Sequence, residues 1–111
     1  LGHNLPPFFP TFDKWDKAAG IATSIKSIDL AAKTYQNVGA LRSVLKGYVN
    51  KVAKFTYGSI GDTEIVGSRL TERILQVAIP EGATAEQIAI FEEMAEYAAE
   101  QGVELIWQVV R

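Results

Sequence analysis

TFDKWDKAAGIATSIKSIDL, residues 11–30, is the stretch on which the fold turns. TFDKWD alternates aromatic and polar residues, the period of a half-buried strand. KAAG ends in glycine, which best tolerates positive φ, and suits a four-residue hairpin loop. IATSIKSIDL carries Ile21, Thr23 and Ile25 in alternation and reads as the partner strand. With Asp16 and Ile21 flanking the loop, Asp13 falls opposite Ser24 and Thr11 opposite Lys26. Opposed side chains in such a ladder lie about 5 Å apart and diagonal ones about 7 Å, so Asp13, Ser24 and Lys26 meet on one face. Phe12, Ile21, Thr23 and Ile25 then point to the other, the face expected beneath the helices. A slip of one residue would pair Asp13 with Thr23 and dissolve the grouping.

Outward from the hairpin the elements follow in order. Residues 1–10 contain three prolines and no periodicity, an extended lead-in. Asn37 is a fair N-cap for a helix reaching Phe55, with Leu41, Leu45, Tyr48, Val49 and Val52 as its buried stripe. Residues 56–69, with Gly58, Gly61 and Gly67, read as a loop or ragged hairpin. ERILQVAI, residues 72–79, is a central strand closed by Pro80. Thr84 and Gln87 form a capping box before a helix that stops at Gly102, and VELIWQVV, residues 103–110, is the last strand. The order ββα(β)βαβ predicts the α/β class: a mixed β-sheet with packed helices.

At 111 residues, 48% apolar and 22% charged, the chain has the size and composition of one globular domain with a packed core. It opens on Leu1 rather than methionine, as expected of a piece of something longer. No apolar run approaches the roughly 18 residues of a membrane span, so stable membrane insertion is not expected. Absence of cysteine excludes thiol catalysis and thiolate metal sites, and a single histidine, His3, excludes multi-histidine zinc sites. The net charge of -2 conceals an asymmetry: residues 1–58 hold eight Lys and Arg against three Asp, residues 59–111 three Arg against ten Asp and Glu. Such a dipolar molecule can turn a basic end to a polyanion.

A carboxylate, a hydroxyl and an amine on adjacent strands suit metal-assisted phosphodiester hydrolysis. Asp13 would ligate a divalent cation, which polarises the phosphate and acidifies a bound water. Lys26 would orient or deprotonate that water and offset charge on the pentacoordinate oxyanion, and Ser24 would hold the water or a phosphate oxygen. The plainer alternative is an exposed hairpin whose Asp and Lys form a surface ion pair worth at most about 1 kcal/mol. A Ser24–Lys26 dyad hydrolase is geometrically poorer, since residues two apart on one strand face stand about 7 Å apart.

FDKWD at 12–16 and TSIKSID at 23–29, with YQN at 35–37, LKGYV at 45–49 and LQVAIP at 75–80, closely resemble the nuclease toxin domain at the C-terminus of CdiA proteins. These are contact-dependent growth inhibition effectors of Gram-negative bacteria, similar in fold to the PD-(D/E)xK restriction-endonuclease core. The family's Asp-x10-Ser-x-Lys falls on Asp13, Ser24 and Lys26. The resemblance implies a metal-dependent endonuclease with zinc as the metal, magnesium and manganese being the other candidates, and DNA as substrate, with a tRNA-cleaving version of the same fold as the alternative. It also implies a domain of a secreted cell-surface protein delivered into the cytoplasm of target bacteria. Ser24 stands where the wider pattern has an acidic residue, and relatives supply a further Glu from a helix that would lie before Leu1.

A toxin of this kind implies a cognate immunity protein of the CdiI type. Residues 55–73 are the candidate for edge pairing with it, against the reading of an ordinary connection. Arg42, Lys46 and Lys54 are candidates for a phosphate-tracking helix edge, with a solvated face as the alternative. Trp15, Tyr35 and Tyr57 offer stacking surfaces for bases or else belong to the core. Glu92, Glu93, Glu96 and Glu100 read as a solvated helix face or as docking charge. His3 reads as a bystander. The glycines of GSIGDTEIVG lack Rossmann or P-loop spacing, so no nucleotide cofactor is expected. A non-catalytic nucleic-acid-binding module using the basic end alone is the remaining alternative.

Overall fold

The computed structural model of the chain describes residues 3–6 and 8–110; the expected lead-in falls outside the described residues at positions 1, 2 and 7 and is elsewhere turned rather than extended, with Phe8 at φ 69° and the Phe9 amide donating to the Pro6 carbonyl at 3.1 Å. Strands β1 (Lys14–Asp16) and β2 (Ile21–Ser27) form the hairpin, with Lys14 opposite Thr23, Trp15 opposite Ala22 and Asp16 opposite Ile21. Gly20 closes the loop at φ 75°, and its carbonyl accepts the Thr71 amide at 2.8 Å. The first strand is shorter than its alternation suggests. Thr11 lies at φ 66°, a conformation rare for a β-branched residue, and the chain there turns out of the ladder.

Helix α1 (Val38–Ala53) starts where Asn37 Oδ1 accepts from the Gly39 amide at 2.9 Å. Strands β3 (Tyr57–Ile60) and β4 (Thr63–Val66) make a separate antiparallel hairpin from the glycine-punctuated segment. Strand β5 (Glu72–Ile79), helix α2 (Ala85–Glu100) and strand β6 (Glu104–Val109) complete the chain. A short 3-10 turn at Lys33–Gln36, unmarked in the sequence, links β2 to α1. Gln87 does double service: its Oε1 accepts the Thr84 amide in the capping box, while its Nε2 donates to the Leu30 and Tyr35 carbonyls at 2.9 Å. This buried amide ties the start of α2 to the segment following β2.

The sheet order is β1-β2-β5-β6, with β1 antiparallel and the other three strands parallel. Two βα crossovers stepping the same way across a sheet, with the usual hand, put both helices on one face. Leu75, Val77 and Ile79 of β5 and Leu105 of β6 accordingly share one core with Leu41, Leu45, Val49 and Val52 of α1 and Ile90, Phe91, Met94 and Ala98 of α2.

Register then fixes which side of β2 the helices cover. Ser24 pairs with Leu75 and Lys26 with Val77, and in parallel neighbours matched residues point the same way. Ala22, Ser24 and Lys26 therefore face the helix layer, and Ile21, Thr23 and Ile25 the reverse side, the opposite of the sequence expectation. The reason is that Ala22, Thr23, Ser24 and Ile25 are all buried, so alternation within β2 alone carries no information about the covered face. Phe12 also joins the helix-side core, its ring edge-on to Phe55 at 4.7 Å.

Candidate active site

Asp13 stands just outside β1, where the ladder has stopped. Its amide donates to the Thr23 carbonyl at 2.9 Å, and its Oδ2 accepts from the Ile25 amide at 2.7 Å. The carboxylate thus replaces a strand carbonyl for an amide that would otherwise face an empty edge. Ile25 lies between Ser24 and Lys26, so this bond pins Asp13 beside the stretch of β2 that carries both. Among the described residues Asp13 Oδ1 accepts no hydrogen bond.

Ser24 is 1% exposed. Lys26 is half-buried, with Nζ 5.3 Å from the centre of the Tyr48 ring of α1. It makes no ion pair among the described residues, so the Asp13–Lys26 surface bridge of the plainer reading is not formed. An aromatic face holds an ammonium by its quadrupole without neutralising it. The positive charge therefore stays available to an anion.

His3, which the sequence reading set aside, lies against this group: its Nε2 is 4.0 Å from Asp13 Oδ1. Nothing in the sequence marks the contact, which depends on how the segment before Thr11 folds back. An apolar groove of about 340 Å³ opens at the ends of β2 and β5, lined by residues including Ser27, Ile28, Asp29 and Ile79. It takes in none of Asp13, Ser24 and Lys26. Among the described residues no three or more His, Cys, Asp or Glu side chains converge as a metal cluster, and no helix is long and apolar enough to cross a membrane.

The other candidate cations are not gathered with these residues. Arg42 donates to both carboxylate oxygens of Glu93 in α2, Nε to Oε2 at 2.7 Å and Nη2 to Oε1 at 3.1 Å. That hydrogen bonding, with the attraction of opposite charges, holds the Glu93 carboxyl below its ordinary pKa and raises that of Arg42. Lys46 lies over the Tyr97 ring of α2 at 5.3 Å, and Lys54 caps the far end of α1. Trp15 and Tyr35 are partly buried against the core, whereas Tyr57 is exposed and donates its hydroxyl to Glu64 at 2.9 Å.

A family model described as a CDI toxin restriction endonuclease-like domain matches residues 1–108. The chain is 35% identical over 102 residues to "Deoxyribonuclease CdiA-o11" of Escherichia coli O157:H7 (strain EC869), covering 91% of this chain and 27% of that protein. It is 30% identical over 106 residues to "Deoxyribonuclease CdiA" of Yersinia pseudotuberculosis serotype O:3 (strain YPIII), covering 95% of this chain and 10% of that protein. The chain thus spans about a quarter of the first relative and a tenth of the second. A solved structure described as a CdiA-CT/CdiI toxin and immunity complex from Yersinia pseudotuberculosis superposes with a TM-score of 0.83 at 27% identity, covering 100% of this chain and 90% of that one.

Proposed function

The chain belongs to the CDI toxin restriction endonuclease-like domain family, and we propose that it is a metal-dependent DNase toxin domain working through Asp13, Ser24 and Lys26. One observation carries the reading: the Asp13 carboxylate is bonded to the amide between Ser24 and Lys26, while Lys26 keeps an unneutralised charge. Relatives at 35% and 30% identity are named deoxyribonucleases, which favours DNA over tRNA.

Asp13 Oδ1, a carboxylate oxygen without a hydrogen-bond donor among the described residues, fits a hard or borderline divalent cation such as Zn²⁺, Mg²⁺ or Mn²⁺. When bound, that ion would polarise the scissile phosphate and acidify a water. Lys26 places its ammonium where negative charge grows on the phosphate oxygens, a gain made in the transition state. The Ser24 hydroxyl donates to a phosphate oxygen or orients the attacking water. Asp13 Oδ2, fixed by the Ile25 amide, sets the position of the carboxylate against both.

A cognate immunity protein is proposed as partner, because the matching solved structure is a toxin and immunity complex. The β3–β4 hairpin is its proposed docking edge. Delivery into target-cell cytoplasm from a larger cell-surface protein is part of the same reading, supported by the much greater length of the relatives.

Incubation with supercoiled plasmid and with total tRNA, each with EDTA, Zn²⁺ or Mg²⁺ and beside Asp13→Ala, tests this. Plasmid loss that needs metal and Asp13 is the expected result. Cleavage of tRNA alone would move the domain to the tRNA branch, and cleavage indifferent to EDTA would favour the Ser24–Lys26 dyad. Binding without cleavage would leave a nucleic-acid-binding module.

A further inference from the structure

The segment before the hairpin is fastened to it at the candidate site. The amides of Asn4 and Leu5 both donate to the Asp13 carbonyl at 3.0 Å. Asn4 Nδ2 donates to the Trp15 carbonyl at 2.9 Å, and the Trp15 amide donates to Asn4 Oδ1 at 2.7 Å. A side-chain amide carries the same donor and acceptor as a peptide group, so Asn4 pairs with Trp15 as a neighbouring strand would. His3, one residue away, is thereby delivered to Asp13 although its side chain is 56% exposed.

The two oxygens of Asp13 have different surroundings. Oδ2 is occupied by the Ile25 amide. Oδ1 is without a hydrogen-bond donor among the described residues and lies 4.0 Å from His3 Nε2. That separation exceeds hydrogen-bond range, roughly 2.7–3.2 Å, so the pair is not a hydrogen-bonded His–Asp couple. Two ligand atoms each about 2.1 Å from one tetrahedral ion lie about 3.4 Å apart, within a sub-ångström swing of an exposed ring.

We propose that His3 Nε2 and Asp13 Oδ1 form a shared divalent-metal site, with the 3–5 segment as the clamp that brings the imidazole to the carboxylate. One nitrogen and one oxygen donor favour zinc over magnesium, which prefers all-oxygen surroundings. The inference rests on the metal-dependent nuclease reading and deepens it: it supplies a second ligand from this chain, where the hairpin contributes one carboxylate.

The chain has one histidine, so ¹⁵N labelling of its imidazole reports on His3 without overlap. ZnCl₂ is titrated into the 111-residue chain, its Asp13→Ala variant and its His3→Ala variant, following the ring nitrogens and, separately, competition with a chromophoric chelator. The expected result is a stoichiometric change at Nε2 that Asp13→Ala abolishes. His3→Ala weakens zinc binding by at least about tenfold, the lower end of what losing even an outer-shell partner costs. Zinc binding by the parent with an unmoved Nε2 and an equal affinity in His3→Ala overturns the inference and leaves the metal reading standing. A ring response that survives Asp13→Ala overturns the shared site, because His3 then binds alone. A parent that binds no zinc overturns both. Circular dichroism of His3→Ala, altered at an exposed side chain, confirms that its fold is unchanged.

Discussion

Arg73 of β5 extends its guanidinium to the end of helix α1, and Arg73→Met is the perturbation that tests how the hairpin roots are held. Nη1 donates to the carbonyls of Val52, Ala53 and Phe55 at 2.8, 3.0 and 2.9 Å, and Nη2 approaches the Gly67 carbonyl at 3.4 Å. The last carbonyls of a helix have no intrahelical partner and carry the negative end of its dipole, so one cation there satisfies several at once. Methionine keeps an apolar stem of similar reach and removes every donor. A hydrogen bond to a charged group contributes about 1.5–3 kcal/mol net, and bonds sharing one nitrogen do not add fully. Because Arg73 is half-buried, water replaces part of the loss, and the expected cost is about 3 kcal/mol. For 111 residues, unfolding entropy near 60 °C is about 230 cal/mol/K, so the melting temperature should fall by about 13 °C. Urea unfolding and thermal circular dichroism of the parent, Arg73→Met and Arg73→Lys measure this. The lysine variant should fall between, since an ammonium cannot reproduce the planar fan of donors. Arg73→Met unfolding within about 0.5 kcal/mol of the parent would refute the reasoning.

Gly67→Ala should destabilise by about 1–3 kcal/mol in urea, because a Cβ there would lie 2.8 Å from the Phe55 carbonyl and 3.0 Å from Thr56 backbone atoms that have little room to move; an unchanged midpoint would contradict it. The Arg42–Glu93 bridge sets a pH dependence. The Glu93 carboxyl is held below its ordinary value by its hydrogen bonds to Arg42, so its contribution is present above the unfolded value of about 4.3 and is lost as pH falls through the folded one. Glu93→Gln should therefore be less stable than the parent at neutral pH, with the difference vanishing in acid; a difference in urea midpoint that persists unchanged at the acid end would sink the assignment.

Much of the fold was legible because its signals are local. Asn37, the Thr84–Gln87 capping box and Pro80 each mark a boundary through a bond or a missing donor near their own position. The hairpin register over residues 14–16 and 21–23 follows from one loop, whereas Asp13, outside that ladder, is held beside Ser24 and Lys26 by its bond to the Ile25 amide. What could not be read depends on distant partners. The covered face of β2 is set by its pairing with β5, after a helix and a second hairpin. Arg42 meets Glu93 at a separation of 51 residues, so its place on a cationic stripe said nothing about its use. His3 escaped notice because its approach to Asp13 requires the turn at Thr11 and the Asn4–Trp15 pairing, neither of which leaves a pattern in the sequence.

The most direct test of the account is single-turnover cleavage of supercoiled plasmid by the parent and Lys26→Met, with thermal unfolding of both in parallel. Losing the contact with Tyr48 costs about 0.5–1 kcal/mol of stability, so the variant should remain folded. The cleavage rate of Lys26→Met should be lower by about a hundredfold or more, in the range of a lost group acting on the transition state. A folded Lys26→Met that cuts plasmid at the parent's rate would contradict it.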